Sequence, residues 1–221
     1  MEPMLNQGPY SSVDEDKKTR DRWNGVHRVH HPGALSGSDP LIVLQQHLVA
    51  HMIRSGLVTL DIGVGLGGMS RHLHSQGCVV DALDVADTAE ETVREYIRNF
   101  YVADDIITLP NNEYNLAISN IVAQHMNEKN LRDQIQHVFR ALKPGGLFSL
   151  HMAGATESHL SNITGPIPKG MDGAMCRDPE YALAMIDDVI KTGYNARMLA
   201  HQMAWPQYKS YWYFIHITKE T

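Results

Sequence analysis

The sequence predicts an α/β domain in which helices cover both faces of a mostly parallel, seven-stranded sheet. Short apolar segments alternate with amphipathic segments of helical period along most of the chain, and a cluster of glycines follows the first apolar segment. Two further apolar segments near the end are joined by a connection too short for a crossover helix. These last two strands should therefore pair antiparallel.

The composition is that of an ordinary globular domain. The 221 residues are 43% hydrophobic and 20% charged, which is enough apolar material for one full core. A net charge of -6 disfavours a nucleic-acid substrate, because affinity for phosphates depends on Lys and Arg. The two cysteines, Cys78 and Cys176, predict neither a disulfide framework nor a zinc site. With no signal-peptide pattern and no membrane-spanning segment, a cytoplasmic location is expected; homo-oligomer formation stays open.

Two regions differ in character. Residues 1–39 are polar and rich in Gly, Pro and charge, and we interpret them as a mobile or loosely helical arm and a candidate cover for the active site. Residues 40–221 form the domain itself. Asp39 and Pro40 predict the cap and first residue of a helix that Gly56 ends.

The remaining elements follow from periodicity and turn residues. Strands are predicted at 57–61, 78–83, 100–103, 114–119, 146–152, 196–202 and 210–218, and helices at 68–76, 87–98, 128–142 and 178–193. Asp87 and Glu90 have the spacing of a capping box. Residues 104–113 are short for a crossover, so a vestigial helix or a plain loop is expected there. Residues 153–177 are predicted to form a substrate-covering flap or an ordinary surface loop.

The chemistry begins directly after the first predicted strand. Four glycines follow it, at Gly63, Gly65, Gly67 and Gly68. Glycine permits positive φ and removes side chains where a ligand approaches backbone amides. Asp84 stands 21 positions after Gly63, at the end of the second strand, where a carboxylate can accept both hydroxyl hydrogens of a ribose. A nucleotide site is therefore predicted; a ligand-free turn with a capping Asp84 is the plainer alternative.

These residues resemble the class I S-adenosylmethionine-dependent methyltransferases. Asp61 matches the family's acidic position two residues before the first glycine, and Gly63, Gly65 and Gly67 stand in the usual glycine positions. Asp84 matches the family's ribose-binding acid. The resemblance implies a Rossmann-like methyltransferase fold, S-adenosylmethionine as the cofactor, and contacts to that cofactor from these residues.

The resemblance continues downstream. An Asp before a Leu-Pro pair is similar to the family's third motif, which implies that Asp105 contacts the adenine amino group and that the Ile106 backbone lies alongside. The adjacent Asp104 leaves the register open by one residue. Further cofactor contacts are implied at Val85 and Asn120, which follow the second and fourth strands.

Two histidines are candidates for a general base that removes a proton from the acceptor. His125 follows the fourth strand and His151 lies in the fifth, near the carboxyl ends where open α/β sheets bind ligands. The chain has 13 histidines, so an ordinary packing role is an equal alternative for each.

The expected reaction is methylation of an oxygen or nitrogen of a small-molecule acceptor. No tyrosine has Lys four residues later, which makes an NAD-dependent oxidoreductase a distant alternative. A non-catalytic partner or regulatory subunit that binds S-adenosylmethionine is the nearer one. No compact carboxylate cluster appears outside the expected nucleotide contacts, so no metal is predicted.

Overall fold

A computed structural model describes residues 13–28, 39–155, 176–205 and 210–221. The strands are β1 (Val58–Ile62), β2 (Val79–Asp84), β3 (Asn99–Val102), β4 (Tyr114–Ser119), β5 (Leu142–Ala155), β6 (Tyr194–Trp205) and β7 (Ser210–Lys219). They form one sheet in the order β3-β2-β1-β4-β5-β7-β6. The first five strands are parallel, and β7 is antiparallel to both β5 and β6. The predicted fold, including the closing antiparallel hairpin, is confirmed.

Helices cover both faces of this sheet. They are α1 (Val13–Arg28), α2 (Pro40–Gln46), α3 (Gly68–Ser75), α4 (Glu90–Val93), α5 (Glu128–Ala141) and α6 (Pro179–Ile190). The larger core packs α5 and α6 against one face, and a second core packs α2 and α3 against the other. In the described part of the chain, no helix has the length and apolar character needed to cross a membrane.

Two predicted helices are shorter than expected. Asp39 caps α2 as predicted, its side chain accepting from the Leu41 N–H, but the helix ends at Gln46 instead of continuing to Gly56. It stops because the His47 side chain turns into the sheet and Leu48 takes a positive φ of 55°.

The second shortened helix lies at 87–96 and is a series of short turns around α4. The predicted capping box is wrong: the residue before the first turn is Ala86, which makes no side-chain cap. The segment instead wraps around the glycine turn, with Val93 fully buried. Packing has overridden helical periodicity here.

Other differences lie in the connections. The 104–113 link contains a 3-10 helix, Ala103–Thr108, in agreement with the expected vestigial helix. Strand β5 is longer than predicted at both ends, because Leu142 pairs with Tyr114 of β4 and β7 pairs with the strand from Leu147 to Ala155. Most of the predicted 153–177 flap falls at 156–175, outside the described residues, as do 1–12 and 29–38 of the arm. The described part of the arm is the helix α1.

A buried ion pair joins the strands at the β3 side of the sheet. The Asp81 side chain is fully buried and accepts two hydrogen bonds from the Arg98 guanidinium, at 3.0 and 2.7 Å, and one from the Tyr114 hydroxyl at 2.9 Å. This network ties β2 to the residue directly before β3 and reaches across β1 to the first residue of β4.

Candidate active site

The glycine turn leaves β1 in a left-handed backbone. Gly63, Gly65 and Gly67 have φ values of 74°, 53° and 75°, which residues with a Cβ rarely adopt. A Cβ on Gly63 would lie 2.2 Å from Val122 Cγ2, and one on Gly67 would lie 2.6 Å from Val93 Cγ1. At these two positions the protein's own packing already excludes a side chain.

Asp84 faces this turn from the end of β2. Its carboxylate is 6% exposed and accepts from the Gly65 N–H at 3.3 Å and from the Ala86 N–H at 2.9 Å. A carboxylate has two oxygens with several acceptor sites, so the group fits the two hydroxyls of a ribose. The half-buried Val85 follows directly.

Asp61 supports the turn from inside the protein. Its Oδ2 accepts from the Ser70 hydroxyl of α3 at 2.6 Å, and burial raises the pKa of Asp61 to about 6. The carboxylate thus ties the end of β1 to the first turns of α3. The structure gives Asp61 a supporting position; a direct cofactor contact stays a prediction.

The third predicted motif lies after β3. Asp104, Asp105 and Ile106 have their backbone in the 3-10 helix that follows this strand. Ile106 packs partly buried against the larger core. The side chains of Asp104 and Asp105 fall outside the described part of the structure, so their adenine contact stays a prediction.

Asn120 lies at the end of β4, beside a buried histidine that the sequence analysis missed. The Asn120 Oδ1 is 3.1 Å from Nε2 of His47, and Nδ1 of His47 is 2.7 Å from the Ser149 hydroxyl. Burial lowers the pKa of His47 to about 4, so the ring is neutral at pH 7. It therefore donates to Asn120 through Nε2–H and accepts from Ser149 through Nδ1.

His151 is bound to the residue after Asn120. Its Nδ1 accepts from the Ile121 N–H at 3.0 Å, and Ile121 has a φ of 58°, a strained value for a β-branched residue. The ring is 1% exposed and stacks on Phe214. Burial, with a smaller effect of the His47 ring, lowers the pKa of His151 to about 3.

This geometry argues against the predicted role of His151 as a base. Because Nδ1 is the acceptor for Ile121, the single proton of the neutral ring is on Nε2. Neither nitrogen of His151 is then free to take a proton from an acceptor. His151 instead holds the strained turn in place.

His125 lies in the next short turn, Ala123–His125. Its ring packs edge-on to Trp23 of α1, with centroids 5.3 Å apart, and neither ring nitrogen hydrogen bonds to another described residue. Burial, and to a lesser extent the charge of Arg22, lowers the pKa of His125 to about 4. The ring is neutral at pH 7 and can accept a proton, so its role as a base stays a prediction.

Helix α1 bridges the two sides of this site. Trp23 packs with the apolar cluster beside the glycine turn and also contacts His125, while Asn24 accepts from the Thr88 hydroxyl at 3.0 Å. The helix therefore connects the turn after β2 with the turn after β4.

Arg177 secures the turn after β4 and gave no signal in the sequence. Its guanidinium is 2% exposed and donates to the carbonyl oxygens of Ala123 and Met126, at 3.0 and 2.7 Å. These partners are backbone atoms distant along the chain, so no local pattern indicates them. The partners of His47 are likewise distant along the chain, at Asn120 and Ser149.

The sequence itself matches known methyltransferases. Residues 59–146 match the family model of a methyltransferase domain. A malonyl-[acyl-carrier protein] O-methyltransferase of Enterobacter lignolyticus (strain SCF1) is 37% identical over 93 residues, which are 41% of this chain and 36% of that protein. The chain thus spans about a third of the length of this relative.

Solved structures share the fold at low identity. Phosphoethanolamine N-methyltransferase 2 of Haemonchus contortus, in complex with phosphomonomethylethanolamine and S-adenosylhomocysteine, has a TM-score of 0.69 at 16% identity, over 93% of this chain and 60% of its own. Burkholderia thailandensis 1,6-didemethyltoxoflavin-N1-methyltransferase has a TM-score of 0.66 at 17% identity, over 96% and 92%. The [4+2]-cyclase SpnF has a TM-score of 0.70 at 13% identity, over 93% and 97%.

The packing at Gly63 can be tested against a matched glycine. Gly193 has nearly the same φ, 75°, but a Cβ there would meet nothing within 4 Å. Gly193→Ala should therefore lower the free energy of unfolding only by the strain of a left-handed alanine, about 1 to 2 kcal/mol. Gly63→Ala adds the clash with Val122 and should lower the free energy of unfolding by clearly more in urea titrations. Equal losses of unfolding free energy in the two variants would contradict the close contact between Gly63 and Val122.

The buried histidines predict sensitivity to acid. Histidines of the unfolded chain take protons near pH 6.5, whereas folded His47 and His151 resist protonation down to about pH 4 and 3. Their contribution to stability is complete above pH 6.5 and is lost as the pH falls through the folded values. Between pH 7 and 5 the loss should be on the order of 3 kcal/mol, partly offset by Asp61, whose raised pKa acts oppositely.

Urea unfolding at several pH values measures this loss. His47→Gln removes one of the two titrating rings and should flatten the dependence of unfolding free energy on pH. A slope identical to that of the parent would show that His47 does not titrate as its burial requires.

Proposed function

We propose that this chain, which belongs to the class I S-adenosylmethionine-dependent methyltransferase family, transfers the methyl group of that cofactor to an oxygen or nitrogen of a small molecule. The observation that carries the proposal is the Asp84 carboxylate, held by backbone N–H groups at the edge of the glycine turn. The methyltransferase relative and the two methyltransferase structures support the same reaction class.

The residues at the carboxyl ends of the strands fit the cofactor. Asp84 would hold the ribose, and the backbone between Gly63 and Gly67 would lie against the amino-acid part. The turn carrying Asp105 and Ile106 would lie beside the adenine. Val85, directly after Asp84, would lie between the ribose site and the adenine site. Asn120, fixed by His47, would lie near the reacting end. When bound, the cofactor supplies a sulfonium methyl group that a nucleophile can attack directly.

The protein's contribution is mainly orientation. An acceptor atom must sit in line with the methyl group at roughly 3 to 3.5 Å, which a fixed turn after β4 can enforce. An alcohol, phenol or ammonium acceptor must also lose a proton, and His125, whose ring is neutral at pH 7, would receive it. His151 acts through the Ile121 turn and not on the proton.

Helix α1 would close the site above the cofactor. Its contacts with Thr88 on one side and His125 on the other support the interpretation of the N-terminal segment as a cover. A cover of this kind excludes water from the transferred methyl group.

A second candidate is a protein that binds the cofactor without transferring its methyl group. One of the similar folds belongs to a [4+2]-cyclase, so this fold does not by itself fix the reaction. Binding of the cofactor without transfer to any acceptor would favour this alternative.

A cytoplasmic location is part of the proposal. Cys78 and Cys176 are both free thiols in buried positions, which suits a reducing compartment.

The cofactor site is tested by Asp84→Asn, with Asp87→Asn on the same turn as the control. Asp87 is exposed and outside the proposed contacts. Loss of charge-assisted hydrogen bonds to the ribose should weaken S-adenosylhomocysteine binding about 10- to 100-fold in calorimetry. Asp87→Asn should bind like the parent. Parent-like affinity in Asp84→Asn would reject the site.

Methyl transfer itself is tested with radiolabelled S-adenosylmethionine and a panel of phenols, sugars, amides, amines and carboxylates. For the acceptor found, His125→Gln should lower turnover by about 10²- to 10⁴-fold with cofactor affinity unchanged. Because His125 is neutral down to about pH 4, the parent's rate should not fall near pH 6.5. Full turnover in His125→Gln would exclude it as the base.

A further inference from the structure

Gln124 is a buried side chain whose amide has no partner. It is 1% exposed, and neither its Oε1 nor its Nε2 hydrogen bonds to any described residue. Buried polar groups in folded proteins are nearly always paired, and leaving both ends of a carboxamide unpaired is costly. A group from outside the chain, either an ordered water or a bound small molecule, would satisfy this amide.

The turn that carries Gln124 is rigid. Arg177 binds the carbonyl oxygens on either side of it, those of Ala123 and Met126, and the His125 N–H donates to the Val122 carbonyl oxygen. Arg177 is itself tied to β7, because the Tyr213 hydroxyl donates to its carbonyl oxygen at 2.9 Å. The Gln124 backbone is therefore fixed in place.

A second unpaired group belongs to the same stretch of chain. Nε2 of His151 is buried and has no hydrogen-bond partner among the described residues, while Nδ1 binds the Ile121 N–H three residues before Gln124. That bond fixes the ring with its proton on Nε2. Gln124 and His151 thus have one unpaired acceptor, the Gln124 Oε1. They also have two unpaired donor groups, the Gln124 Nε2 amide and the His151 Nε2–H.

We propose that Gln124 and His151 determine specificity for the methyl acceptor, by binding an uncharged group that has an oxygen acceptor beside an O–H or N–H donor. Carboxamides, lactams and hydroxy-carbonyl compounds have this pattern. A carboxylate offers no donor for the Gln124 carbonyl oxygen, and an amine offers no oxygen for the two N–H donors. The proposal rests on the proposed function, since it concerns the second substrate of the same site.

The first test is of stability and needs no acceptor. Gln124→Met keeps the length of the side chain and removes the amide. If the amide is unpaired in the free protein, the midpoint of urea unfolding should be unchanged or higher, because no hydrogen bond is lost. A lower midpoint would overturn the proposal, since the amide would then already have partners. Affinity for S-adenosylhomocysteine should stay within twofold of the parent.

The second test uses the acceptor panel. Each amide and phenol is tested beside its N,N-dimethyl or O-methyl counterpart, which lacks the N–H or O–H donor. The parent should methylate a compound of the proposed pattern, and Gln124→Met should raise its KM at least tenfold while kcat changes less. Gln136→Met, an exposed glutamine on α5, is the control and should match the parent. An unchanged KM in Gln124→Met, or selective turnover of carboxylates or simple amines, would overturn the proposal.

The two tests separate the proposals. Failure of the parent to methylate any compound would count against the proposed function, while the unfolding midpoint would still decide whether the Gln124 amide is held unpaired.

Discussion

The site depends on one close approach, that of the turn after β1 to the turn after β4. Gly63 lies so near Val122 that a single added methyl group would overlap it. Ile121, directly before Val122, has a strained left-handed backbone. Strain of this kind persists only where the surroundings fix it, and here the His151 ring accepts the Ile121 N–H. The two halves of the site are thereby joined: the half that would hold the nucleoside and the half that would receive the acceptor.

Three neutral histidine rings belong to the proposed acceptor side. His47, His125 and His151 all have their pKa lowered mainly by burial, so they are uncharged at pH 7. Uncharged rings suit a reaction whose cofactor already has a positive charge, because a protonated ring beside a sulfonium would repel it. The charges near the turn, on Arg177 and Glu128, are turned toward backbone carbonyls and each other. The protein thus offers hydrogen bonds and shape where the methyl group would move.

Local patterns predicted the fold well, and they indicated the candidate cofactor residues, whose contacts to the cofactor stay predictions. The alternation of strands and helices, the glycine turn and Asp84 are all encoded within short stretches, and the sheet joins them at one edge. The capping box at Asp87 failed because the 87–96 segment is shaped by packing around Gly67 and not by its own sequence. The structure adds a second reason for glycine at positions 63 and 67, which is room for the side chains of Val122 and Val93.

The acceptor half could not be predicted, because its contacts join residues far apart in the chain. His47 hydrogen bonds to Ser149, which is 102 positions away in the sequence, and Arg177 hydrogen bonds to Ala123, which is 54 positions away. The proposed function depends most on the Asp84 carboxylate, which would hold the ribose beside the glycine turn. A crystal structure with S-adenosylhomocysteine tests it most directly: both ribose hydroxyls should lie within hydrogen-bond distance of the two Asp84 oxygens. A ribose bound elsewhere, with Asp84 touching only its own backbone, would contradict it.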